Sequence, residues 1–131
     1  MKEEKLTLIA RFQVDSFEPR QVTDLDADWV GLLTFNKTFT KGIVGHATTL
    51  FMSAGTAEGS RSYVATERIT GHTEDGLEGE VTVQHGGLES SPDTWFGHIV
   101  PTTGTGAFKD WAGSARILHD DDGAYFAIDL T

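Results

Sequence analysis

Hydrophobic and polar residues alternate with a period of two along most of this chain, the pattern of strands with one buried face. Leu6, Leu8, Ala10, Phe12 and Val14 share one face of a first strand, opposite Lys5, Thr7, Arg11 and Gln13. A polar connection is predicted over 15–28, carrying Pro19 and the alternating Asp24, Asp26 and Asp28. The second strand spans 29–40, with Leu33, Phe35, Lys37 and Phe39 in phase. A Lys41-Gly42 turn leads into a third strand over 43–54, where Ala47, Thr49 and Phe51 face one way. Strands over 60–70 and 77–85 flank a turn at Glu74-Asp75-Gly76. After a loop over 86–93, residues 94–100 form another strand with Phe96, His98 and Val100 on its inner face. An irregular segment over 101–111 precedes two last strands, 112–119 and 124–130, joined by an Asp-rich hairpin turn ending at Gly123.

Eight short strands rich in Thr, Val and Phe predict an all-β fold. Short hairpin links make the sheet mostly antiparallel. Closing eight strands into a barrel removes exposed edges and leaves an interior that side chains or one small ligand can fill. The expectation is a single eight-stranded β-barrel domain over 1–131. Helix signals amount to no more than a turn within 15–28 or 108–111, and Phe108 and Trp111 are placed to cap one barrel end.

Composition narrows the chemistry. With no cysteine among 131 residues, disulfides, thiolate nucleophiles and zinc–thiolate sites are excluded. Twenty acidic residues against ten basic ones give a formal net charge of −10, which repels nucleic-acid phosphates and anionic membranes. No run approaches the roughly 20 apolar residues of a membrane-spanning helix. The apolar stretch Leu6–Ala10 is short for a secretory signal, so a cytoplasmic protein is expected.

The candidate chemistry lies on the two central strands. If Tyr63, Ala65, Ile69, Leu77, Val81 and Val83 face a core, Glu67 and His85 face it too. An acid and a base pointed inward make candidate acid–base catalysts, able to protonate an oxygen or shift a proton. The competing account is structural: Glu67 paired with Lys37 or Arg68, and His85 a satisfied core histidine. Lys37 is either a partner for Glu67, an anchor for a ligand carboxylate, or a lysine snorkelling to the barrel mouth. Phe35, Thr49, Phe51, Tyr63, Val83, Phe96 and His98 are candidate cavity-lining residues, whereas Gln84 falls on the outer face. The five histidines show neither a His-x-His pair nor a His-Glu-x-x-His motif, so no metal and no cofactor are expected. Asp24-Leu-Asp-Ala-Asp28 lacks the glycine and glutamate of a calcium loop, and Gly104-Thr-Gly106 lacks a following helix to bind phosphate. With no nucleophilic cysteine and no Gly-x-Ser-x-Gly elbow, covalent hydrolysis has little support. Trp29, Trp95 and Ile99 are assigned to an outer face suited to a homo-oligomer.

Three blocks resemble one family of small bacterial proteins of unknown function, DUF3224. They are Arg61-Ser-Tyr-Val-Ala-Thr-Glu-Arg-Ile-Thr-Gly71, Gly79-Glu-Val-Thr-Val-Gln-His85 and Val100-Pro-Thr-Thr-Gly-Thr-Gly106, with Asn36-Lys-Thr-Phe39 upstream. The resemblance covers roughly residues 31–130 and implies a barrel similar to that of allene oxide cyclases, which steer cyclisation of an apolar epoxide without a cofactor. A shared barrel does not transfer a reaction. Three functions remain open: a cofactor-independent cyclase or isomerase on an apolar or aromatic ligand, a non-catalytic carrier, and an interaction barrel filled by its own side chains.

Overall fold

The computed structural model describes residues 6–21, 28–56, 58–59 and 61–131, the side chain of Leu6 excepted. Nine strands follow in order: β1 (Leu6–Arg20), β2 (Val30–Lys41), β3 (Ile43–Ala54), β4 (Ser62–Thr73), β5 (Glu78–Leu88), β6 (Ser91–Ile99), the two-residue β7 (Thr105–Gly106), β8 (Gly113–Asp120) and β9 (Gly123–Leu130). Each strand pairs antiparallel with its neighbours in the order β4-β3-β2-β1-β9-β8-β6-β5-β7, and a β4–β5 ladder closes the ring. Eight strands therefore make a closed barrel, with β7 an appendage on β5. No helix occurs among the described residues, and so none is long and apolar enough to cross a membrane.

The ladders are unequal. The β2–β3 and β3–β4 ladders run without a break from end to end, whereas β6 and β8 pair only at His98–Ser114 and Ile99–Gly113. The core follows the same asymmetry. Phe39, Ile43, Ile69, Val81, Ile99, Phe108 and Ile128 fill one half of the interior. Phe108 is buried at that end, stacked on Trp111 with ring centroids 4.0 Å apart, so the 101–111 segment does cap the barrel. Arg68 ties this segment down from outside by donating to the Thr103 carbonyl at 2.7 Å and to the Thr82 hydroxyl at 3.0 Å.

Three expectations need correction. First, β1 does not end at Val14; it runs to Arg20, paired with β2 from Arg11–Lys41 to Arg20–Leu32. Asp15 is an extra residue in a bulge there, so the inward phase passes from Val14 to Phe17. Pro19 is tolerated because β9 leaves β1 after Arg11, and only β2 flanks it. Asp24 and Asp26 lie outside the described residues. Second, the 86–93 loop shrinks to a two-residue turn, because β5 continues to Leu88 and β6 begins at Ser91. Leu77, assigned to the core, is an exposed turn residue.

Third, the phase of β6 is inverted. Trp95, Gly97 and Ile99 point inward, and Phe96 and His98 outward. The apolar side chains at 96 and 100 pointed the wrong way because glycines set the packing on both faces of this strand. Phe96 lies outside the barrel against Gly86, while Trp95 lies inside against Gly87, its indole donating to the Leu88 carbonyl at 2.6 Å. Gly97 is inward where β6 crowds β8: a Cβ there would meet the Ala115 carbonyl oxygen and the Cβ of His85. Ile99 is 1% exposed, so neither it nor Trp95 belongs to an outer face; Trp29 alone of that trio is exposed. Gly97→Ala should destabilise the protein by on the order of 3 kcal/mol in urea denaturation, since backbone must move to admit the methyl group. Gly76→Ala, at a turn with nothing within 4 Å but φ +83°, should cost only about 1–2 kcal/mol of left-handed strain.

Candidate functional site

The unfilled half of the barrel is a cavity of about 430 Å³, open to solvent at the end opposite Phe108. That volume is within the range of small-molecule sites. Its walls are apolar, chiefly Phe12, Val14, Leu33, Phe35, Phe51, Trp95 and Ile117. Phe35, Phe51 and Tyr63 form a ladder of rings 5.0 Å apart across β2, β3 and β4, as their cross-strand positions dictate. Arg61, Glu89, His119 and two serines, Ser53 and Ser62, supply the rim.

Among the described residues four polar or charged side chains are buried: Lys37, Thr49, Glu67 and His85. Register explains how three of them meet. Lys37 stands opposite Ala47, and His85 stands opposite Ala65. These small neighbours leave room for the long side chains to lie diagonally over the sheet. Lys37 Nζ donates to Glu67 Oε1 at 2.9 Å, and His85 Nε2 meets the same oxygen at 2.7 Å. The ammonium also sits 4.3 Å from the ring centre of Phe12 and 5.3 Å from that of Phe126. Tyr63 Oη lies 3.1 Å from His85 Nδ1. The result is one continuous chain, Lys37–Glu67–His85–Tyr63, whose last hydroxyl belongs to a residue of the cavity wall.

Burial would raise the Glu67 pKa, but the hydrogen bond from His85 and the charge of Lys37 outweigh it and hold the carboxyl below its ordinary 4.5. An ionised carboxylate only accepts, so His85 must donate from Nε2. In the neutral imidazole Nδ1 is then an acceptor, and Tyr63 donates to it. Burial first, and the Glu67 charge second, push the Tyr63 hydroxyl up to about 12, so it keeps its proton at neutral pH.

Several expectations can now be placed. Phe35, Lys37, Thr49, Phe51, Tyr63 and His85 all line the cavity. Glu67 is buried at the floor and is not among the lining residues. Val83 belongs to the packed core, not the cavity wall. Phe96 and His98 are outside the barrel, for the reason given above, and line nothing. Lys37 does not snorkel, because Glu67 and two aromatic faces hold it at depth. Arg68 is not the partner of Glu67; it reaches outward to Thr82, Thr103 and Glu80. Gln84 is exposed and donates to Thr66, as its phase required. Trp95 was missed: the glycine pair Gly86-Gly87 facing Trp95-Phe96 was the available signal. Among the described residues no group of three or more His, Asp or Glu is placed to hold a metal.

A family model for a protein of unknown function, DUF3224, matches residues 8–131. The chain belongs to the DUF3224 family. It is also similar to a crystal structure of a DUF3224 protein of unknown function from Shewanella oneidensis MR-1. The two share 23% identity over 98% of each chain with a TM-score of 0.79, a likeness of fold. Among curated proteins none matches the chain.

Removing one member of the buried pair leaves the other uncompensated, which costs about 3–5 kcal/mol. Glu67→Gln and Lys37→Met should each destabilise by that order in urea denaturation. The double variant should lose less than the sum of the two by about 1–3 kcal/mol. The acid limb follows from sign: a folded pKa lowered below the unfolded value adds stability above about pH 4.5 that is lost as pH falls through the folded value. Stability–pH curves should show this acid loss in the native protein and a flatter limb in Glu67→Gln.

Proposed function

We propose that the barrel binds a small, mainly apolar or aromatic ligand and moves a proton on it without a cofactor, as an isomerase or cyclase does. One observation carries the reading: a buried, charge-backed hydrogen-bond chain ends in a neutral hydroxyl on the wall of a mainly apolar cavity. The polarity of that chain sets the roles. Tyr63 is the group that touches ligand. As a base it takes a proton from the ligand while passing its own to His85 Nδ1, and the imidazolium formed is stabilised by Glu67. Returned to a second ligand atom, the same proton completes an isomerisation with nothing consumed. Glu67 is a positioning residue, fixing the His85 tautomer, and Lys37 keeps it ionised.

The ligand class fitting this arrangement is a carbonyl compound with an acidic C–H and an apolar body. The net charge of −10 fits a neutral metabolite rather than a polyanion. Deuterium exchange tests the reading before any natural substrate is known. Aryl ketones incubated with the protein in D2O should gain deuterium at the carbon next to the carbonyl, read by mass spectrometry. Tyr63→Phe keeps the ring ladder and removes only the hydroxyl, so it should still bind ketone but lose exchange by at least about 100-fold. Ketones that bind tightly yet return without deuterium would make the barrel a carrier.

A further inference from the structure

Two buried polar atoms at the cavity floor have no hydrogen-bond partner: Thr49 Oγ1 and Glu67 Oε2. Thr49 is fully buried and Glu67 is 1% exposed, so bulk water serves neither in place. They are cross-strand partners, β3 to β4, with both side chains inward. Directly paired positions hold their Cβ atoms about 4.5–5.5 Å apart. The neighbours that could satisfy Glu67 are already committed, since Lys37 and His85 both bond Oε1 and Lys37 is otherwise held over the rings of Phe12 and Phe126. Leaving a buried donor or acceptor unmade costs about 1–3 kcal/mol, more for a charged group. The floor is thus short of one group that both donates and accepts.

A hydroxyl is such a group. We propose that the ligand carries a hydroxyl, phenolic or enolic, seated between Thr49 and Glu67, accepting from Thr49 Oγ1–H and donating to Glu67 Oε2. Thr49 lines the cavity, so the group arrives from the open end, past the Phe35–Phe51–Tyr63 ladder. This inference rests on the ligand-cavity reading above and adds to it the end of the ligand that goes in first. A keto compound meets the requirement in its enol form, which places the enol oxygen at Thr49 and leaves Tyr63 to the carbon skeleton.

Naphthalene and 2-naphthol, matched in body and differing by one hydroxyl, separate the two readings. Their binding is followed by quenching of Trp95, which lies on the cavity wall. The wild-type protein should prefer 2-naphthol by about tenfold, one good hydrogen-bonded group. Thr49→Val, equal in shape, should bind naphthalene unchanged and lose most of that preference, and Thr49→Ser should restore it. Equal affinities in the wild type would mean that only water occupies the floor and would overturn the hydroxyl subsite while leaving the cavity standing. So would a preference undiminished in Thr49→Val. Binding of neither compound would overturn the cavity reading, and the subsite with it.

Discussion

An ionised carboxylate inside a small barrel is the constraint around which the rest of this structure is arranged. Glu67 has no route to bulk water, and taking it out of solvent costs several kcal/mol unless its charge is answered at close range. The answer comes from two strands that are not its sequence neighbours, β2 through Lys37 and β5 through His85. A slip of one residue in β2–β3, β3–β4 or β4–β5 would turn a partner to the outside. The long unbroken ladders over those strands, and the alanines at 47 and 65 beneath the long side chains, serve that one meeting. So does the cavity, for the volume taken by polar groups at its floor is volume not filled by packing.

The strand pattern was legible wherever inward residues are large and apolar. Alternation placed β2, β3, β8 and β9 within a residue of their observed ends, and it put Lys37, Thr49, Tyr63, Glu67 and His85 on the inner face. It failed where glycine does the packing. In β6 the inward series runs Trp95, Gly97, Ile99, and the missing side chain at 97 let Phe96 and Val100 outvote it. It failed again in β1, because a bulge at Asp15 changes phase by one residue and leaves no mark in composition. That Lys37 and Glu67 pair was among the alternatives; that His85 shares the same carboxylate oxygen, leaving the other bare, depends on side-chain torsions that alternation does not encode.

The division of the interior into a packed half and an open half also has a sequence cause. Ile43, Ile69, Val81, Ile99 and Ile128 are branched and fill space between strands, and Phe108 closes their end from the loop. Toward the other end the inward positions change to rings and small polar groups: Phe35, Phe51, Tyr63, Ser53. Flat rings stack along the wall rather than meeting across it, and the centre stays empty. Family membership and the neighbour from Shewanella oneidensis MR-1 share the barrel and leave this chemistry to be read from the cavity itself.

The short β6–β8 ladder gives that cavity an unequal wall. Around most of the ring, enlarging the interior would mean breaking backbone hydrogen bonds in long rows. Between β6 and β8 only two residue pairs are joined, and above them the gap is spanned by the Trp95 and His119 rings, 5.8 Å apart and edge to face. Local opening is cheapest where few backbone bonds are lost. The barrel is therefore compliant along one line and stiff elsewhere, a container whose capacity can adjust at a seam while the unbroken β2–β3, β3–β4 and β4–β5 ladders keep Glu67 in register with its partners.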